Sequence, residues 1–218
     1  YEKALGNDQL VEALINSLTI AALATLASLV LGTLAAVMLW RFRFPWKGAI
    51  DGTISLPIIV PEICLGVAFL MFFAAVGWPT DLVWPFNLGA ITIAHITFCF
   101  PFVTMVVRSR LASFNREQEE AAKDLGASEA QVFRDVLIPH IKPALVAGAL
   151  LAFTLSLDDF VITYFTSGPD TITFPVKVYS MVRFSVTPEV NAASTMLIVL
   201  TVALMALMML GQRKSNSS

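Results

Sequence analysis

Three carboxylates, Glu62, Asp158 and Asp159, stand inside long apolar runs. An acid at the centre of a membrane helix costs about 2.5–3.5 kcal/mol on insertion scales, so its retention points to a solute pathway or a buried partner. Basic residues do not accompany these acids in the same runs. That pattern suits a cationic solute, because desolvating a cation requires opposite charge nearby. Phe160 and Tyr164 follow the aspartate pair and can add cation–π contacts of about 0.5–2 kcal/mol each. Trp78 and Trp84 flank an outer loop and read as interfacial belt residues. Adjacent helical residues diverge by roughly 100°. One of Asp158 and Asp159 therefore faces the pathway while the other packs against a helix or binds a backbone donor, and the spacing leaves open which. The competing reading pairs these acids structurally, with His95 or with a second chain. His95 itself reads as a helix-packing polar group and His140 as a loop residue.

Other chemistries find no support. His, Cys and carboxylate residues never cluster at metal-ligand spacing, and no nucleophile–base pair stands out. The expectation is a chain with no catalytic residue, no metal and no cofactor of its own. A G-x-x-x-x-G-K-[ST] loop is absent, so ATP is not held here by a P-loop. Cys64 and Cys99 lie in apolar runs and read as small buried hydrophobes.

The elements that must position these residues follow from composition. Of 218 residues, 57% are apolar and 14% charged, with a mean hydropathy of +0.77. Soluble domains carry about 25% charge, so lipid is the expected solvent. A net charge of −2 makes nucleic acid an unsuitable partner. A hydrocarbon core about 30 Å thick needs roughly 20 apolar helical residues. Stretches near 14–40, 54–76, 88–107, 143–165 and 190–210 qualify. The second contains Pro57 and Pro61, which predict a kink or an unwound turn. Basic residues set the orientation. Arg41, Arg43 and Lys47, the six from Arg108 to Lys142, and Arg213 with Lys214 fall on one side, leaving Lys3, Lys177 and Arg183 on the other. The chain thus starts outside and ends in the cytoplasm. Two ladders of small residues, Ala24-Ser28-Gly32-Ala36 and Ala144-Gly148-Ala152-Ser156, predict helix-packing seams, since close approach rather than hydrophobicity joins helices in lipid.

The cytoplasmic segment 108–142 is rich in charge and reads as two short helices. Asn115 with Gln118 and Ser128 with Gln131 resemble capping boxes. Glu119 with Lys123 makes a favourable i,i+4 pair, and Arg116 with Glu120 a weaker one. Gly126 supplies the turn between the helices. Pro139 is expected to end the second helix and Pro143 to begin the next span. Such a rigid helix–turn–helix below a membrane makes a docking element.

The residues Glu120-Ala121-Ala122, Gly126 and Val136-Leu137-Ile138-Pro139 resemble the EAA motif of bacterial ABC importer permeases, with Val136 and Ile138 as apolar replacements. The run from Ser156 to Phe165, with Gly168-Pro169, is similar to the polyamine (spermidine/putrescine) branch of that family. So are Phe174 to Met181 and Thr187 to Asn191. The resemblance implies an all-α, polytopic membrane helix bundle: a MetI-like permease core of five transmembrane helices, preceded by one further span. It would form a single transmembrane domain over 14–210, with a coupling loop at 108–142 and a periplasmic loop at 166–187. In that family Glu120, Ala121, Ala122, Gly126 and Pro139 would belong to the helix that docks on the ATPase. Glu62, Asp158, Asp159, Phe160 and Tyr164 are the candidate pathway residues. The implied partners are a second homologous permease, two cytoplasmic ATPase subunits carrying ATP and magnesium, and a periplasmic binding protein, all at the bacterial inner membrane. A permease for another small cationic or amino-acid-like solute is the alternative. An ion-coupled secondary transporter would require an inverted repeat, which the five spans do not show, and a channel would require a filter loop or a charged ring, neither of which is visible.

Overall fold

The computed structural model of the chain describes residues 7–79, 82, 86–168 and 170–184, with scattered positions from 191 to 206. Only scattered positions of the fifth expected span are described, and residues 185–190, which include the expected cap at Thr187, lie outside the described residues, as does Trp84. Every regular element described is helical. Helix α1 runs Asp8–Arg41 and α2 Lys47–Ile59, followed by α3 at Glu62–Val76 and α4 at Gly89–Leu111. Helix α5 is Glu117–Asp124, and α6 is Glu129–Asp158. The short helices α7, Val161–Thr166, and α8, Phe174–Phe184, follow. Among the described residues, α1, α4 and α6 are long and apolar enough to cross a bilayer.

These three helices pack through the predicted ladders. All eight ladder residues are buried, and α4 lies between the two seams. A Cβ on Gly32 would fall 2.7 Å from Val103 Cβ and 2.9 Å from the Phe100 carbonyl oxygen, while one on Gly148 would meet Val103 Cγ1 at 3.4 Å. Val103 is thus a knob seated between two glycines, and backbone proximity supplies the dispersion contacts that hold helices in lipid. Polar stitches accompany the seams: Ser28 Oγ donates to the Ile96 carbonyl at 3.4 Å, and Cys99 Sγ to that of Ala152 at 3.6 Å. Cys99 is buried, as expected, but Cys64 is exposed, because its helix presents a broad apolar face outward.

The second span departs from expectation. Instead of one crossing over 54–76, α2 and α3 meet at 107°. Pro61 has no N–H for the ladder and drives Val60 into extended backbone, ψ 133°. The 15 residues of α3 reach about 22 Å, short of a full hydrocarbon core. Glu62 therefore sits at a helix corner, in the first turn of α3, rather than at mid-span. Helix α2 turns back along α4, where Arg108 Nη1 holds both oxygens of Asp51 at 2.6 and 2.7 Å.

The fourth span departs too. Pro139 does not end a helix: α6 continues from the loop into the bundle through a π-helical turn, Val132–Leu137. There the Ile138 N–H reaches the Phe133 carbonyl. The wider turn absorbs the donor that Pro139 lacks. His140 accordingly lies within α6, its ring 5.0 Å from Phe114. At its other end α6 stops at Asp158, and the expected continuation to Phe165 is the separate helix α7. Trp78 is packed rather than displayed, its ring 5.3 Å from Phe73.

Candidate functional site

Two places gather the predicted residues, one at each end of the bundle. At the first, α6 breaks. Asp159 leaves helical geometry, ψ 123°, and its carboxylate caps α7. Oδ2 accepts from the Thr163 N–H and the Thr163 hydroxyl, both at 2.8 Å, and Oδ1 accepts from the Ile162 N–H at 3.4 Å. A short acidic side chain competes with the helix ladder for local donors in this way. His95, on α4, closes the network. Its Nε2 lies 2.9 Å from Thr163 Oγ1 and 3.2 Å from Asp159 Oδ2, and its Nδ1 lies 2.7 Å from Ser156 Oγ. The Thr163 hydroxyl has one hydrogen and gives it to Asp159, so His95 Nε2–H donates. The Ser156 hydroxyl can then supply Nδ1, and every buried polar group in the cluster has a partner.

This arrangement separates the two aspartates. Asp159 is 8% exposed and internal, whereas Asp158 is exposed. Asp158 lies within electrostatic reach of Glu62, itself exposed at the corner of α3. Helix α3 is brought there by Gly66, where a Cβ would meet the Phe165 ring at 2.7 Å and the Val161 carbonyl at 3.4 Å. Phe160 and Tyr164 pack at 5.5 Å between ring centroids, and Tyr179 of α8 approaches Phe160 at 4.8 Å. Glu62, Asp158 and Tyr164 are thus exposed around this break and Phe160 is half-buried, with Asp159 turned inward.

At the opposite end, α5 and the start of α6 form the expected elbow. Gly126 takes φ +89°, and the Ala127 N–H closes the turn onto the Ala122 carbonyl at 3.0 Å. Ser128 and Gln131 make a reciprocal capping box. Asn115 caps more simply, its Oδ1 accepting from the Glu117 N–H at 3.0 Å. Glu120, Ala121 and Gly126 are exposed, Ala122 is half-buried, and Leu125 presents 91% of its surface. Pro139 is exposed one helical stretch away, inside α6.

The elbow is tied to the end of α1. Arg41 Nη2 bridges Glu119 and Glu129, each at 2.5 Å, and Lys123 Nζ contacts the same two acids at 3.1 and 2.7 Å. The hydrogen bond with Glu129 pushes Lys123 above its ordinary range and holds the Glu129 carboxyl below its own. Arg116 does not pair with Glu120. It donates to the Trp40 carbonyl at 3.3 Å, its guanidinium 4.8 Å over that indole, where stacking replaces a solvated ion pair. Sequence spacing does not reveal Trp40, Arg41 or Ser156 as site residues, because their partners lie tens of residues away. The Asp159–Thr163 i,i+4 spacing beside a lone buried His95 was the available signal.

Comparison with known proteins accords with this geometry. The model of the family described as the binding-protein-dependent transport system inner membrane component matches residues 28–217. The spermidine/putrescine transport system permease protein PotC of Haemophilus influenzae is 42% identical over 218 residues, covering 99% of this chain and 82% of that one. The putrescine transport system permease protein PotI of Escherichia coli is 44% identical over 203 residues, 91% of this chain and 71% of that one. Among solved structures, a chain of a bacterial ABC transporter involved in alginate import aligns with a TM-score of 0.78 at 16% identity, covering 95% of this chain and 80% of that one. A chain of the MetNI methionine ABC transporter aligns at 0.71 and 19% identity, covering 95% of each. These two share the fold. The family match and the two sequence relatives together place the protein: it belongs to the family of binding-protein-dependent transport system inner membrane components.

Proposed function

We propose that the chain is a permease subunit of an ABC importer for polyamines, seated in the bacterial cytoplasmic membrane. The observation that carries this reading is the exposed pair Glu62 and Asp158 at the two helix breaks, with Phe160 and Tyr164 beside them. Two carboxylates and adjoining aromatic faces suit the ammonium groups of an extended polycation, and the relatives named for spermidine and putrescine support the same solute class. Asp158 faces the cation, and Asp159 holds the break that presents it. A second homologous permease completes the pathway, and a periplasmic binding protein delivers solute at the α7–α8 end.

The energy comes from elsewhere. The elbow from Glu120 to Gly126 offers small side chains and an exposed Leu125 to a cleft on a cytoplasmic ATPase, which holds the ATP and magnesium. This chain needs no cofactor. Closure of two such ATPases displaces the elbow as a lever and switches the bundle between outward and inward access.

The test is uptake of radiolabelled putrescine and spermidine into vesicles containing the assembled permeases, ATPases and binding protein. Uptake is expected to require ATP inside the ATPase compartment. Uptake driven by an ion gradient with the ATPases omitted would refute the importer reading, and transport of neither polyamine by an ATP-hydrolysing complex would refute the solute.

A further inference from the structure

The geometry points to a three-ring cation subsite in which Tyr179, on α8, completes the pair Phe160 and Tyr164 and selects the ammonium groups of the solute. The inference rests on the polyamine reading above and adds a specificity-determining residue to it. Three observations carry it.

The first is convergence. Phe160 precedes α7 and Tyr164 lies within it, whereas Tyr179 comes from a separate helix. Yet the three ring centroids stand 4.8, 5.5 and 6.4 Å apart, with interplanar angles of 47°, 39° and 81°. Rings tilted at these angles are not stacked face to face, so part of a π-face stays open to an alkylammonium group.

The second is accessibility. Tyr164 is 50% exposed and Tyr179 46%, so neither ring is a core residue whose face is already covered. Asp158, two residues before Phe160, supplies an exposed carboxylate next to them. Of the two cations on α8, Lys177 is drawn away to Gln9 of α1 at 2.6 Å. Arg183, one turn beyond Tyr179, is the opposing charge, against the two carboxylates of Glu62 and Asp158.

The third is placement. Helix α8 is pinned to α1 by its other face: Phe174, Val178 and Met181 pack with Leu10 and Leu14. The Phe174 N–H donates to Ser17 Oγ at 2.8 Å, and Asn16 Nδ2 donates to the Ile172 carbonyl at 3.2 Å. One residue beyond Val178 is a rotation of about 100°, so Tyr179 leaves that packed face and meets Phe160 instead. The helix thus fixes the third ring without using it for packing on α1.

The experiment keeps ring shape while changing its electrostatics. In the assembled transporter, position 179 is filled with phenylalanine and then with mono-, di- and trifluorinated phenylalanines, and Tyr179→Leu is made alongside. The maximal rate of putrescine and spermidine uptake is measured with saturating loaded binding protein, together with the ATP hydrolysis that this protein stimulates. Tyr179→Phe is expected to retain uptake. The fluorinated series is expected to lose it progressively, about two- to thirtyfold in all, with Tyr179→Leu at the low end and stimulated hydrolysis unchanged. A flat rate across the fluorinated series would overturn the subsite even if Tyr179→Leu were inactive, since only packing would then be at stake. Absence of polyamine uptake by the unsubstituted complex would instead refute the underlying function.

Discussion

Exchanging one carboxylate oxygen for an amide distinguishes Asp158 from Asp159, although they are neighbours in the chain. In Asp159→Asn the new NH2 can point at the Thr163 N–H and the His95 Nε2–H, setting donor against donor in a site that is 8% exposed. A buried donor left unsatisfied costs about 1–3 kcal/mol, so the melting temperature of the purified subunit is expected to fall. In Asp158→Asn the side chain stays exposed and the change in stability should remain within about 0.5 kcal/mol. Its polyamine uptake is expected to fall severalfold, because the proposed pathway loses the carboxylate assigned to the cation. Thermal unfolding in detergent and vesicle uptake, measured on both variants, check the division. Equal loss of stability in the two would show that the carboxylates share one structural role.

The helices answer to spacing of a different kind. A Cβ on Gly32 would intrude on Val103 and on the Phe100 carbonyl at 2.7 and 2.9 Å, while one on Gly48 in α2 would meet nothing within 4 Å. Gly32→Val is therefore expected to part α1 from α4 at a cost of about 1–3 kcal/mol or more. Gly48→Ala should cost nothing and can gain up to about 1 kcal/mol of helix propensity. Thermal unfolding of the two variants measures the contrast, and equal stability would remove the seam. This seam was legible in the sequence because small residues four apart line one helical face wherever the helix goes. The angle at Pro61 was not. A proline announces a break, but the 107° turn depends on what α2 then finds, including the ion pair of Asp51 with Arg108, 57 residues away. The π turn that carries α6 past Pro139 was equally hidden, since a proline inside a helical run ordinarily marks its end. In the site, local motifs were readable: the Ser128–Gln131 box, the Glu119–Lys123 pair and the positive φ of Gly126. Which aspartate turns inward was not readable, because the answer lies with His95 on another helix.

On the scale of the whole molecule, the question is how motion at the elbow reaches the rods that bound the pathway. Helix α6 is continuous with the elbow, so it follows covalently. Helix α1 is not; beside the Arg116–Trp40 contact, its link is Arg41 shared between Glu119 and Glu129, with Lys123 holding the same acids from the other side. A shared network of this kind restrains two elements more than an isolated surface pair does. Arg41→Gln is expected to leave insertion and ATP hydrolysis in place while lowering solute imported per ATP severalfold. Arg43→Gln, at an exposed position outside the network, should leave that ratio unchanged. The pH response follows from the same groups. Glu129, held below its ordinary value of 4.5 chiefly by Lys123, contributes fully above that value and stops contributing as pH falls through its depressed one. Lys123, raised above its ordinary 10.5 chiefly by Glu129, contributes fully below that value and stops as pH rises through its elevated one. Amide exchange in α5, corrected for its intrinsic pH dependence, should therefore be level between these limits and accelerate outside them. Arg41→Gln should raise it throughout. Exchange in α5 that ignores both pH and Arg41 would mean that this ion network does not carry the elbow's motion to α1.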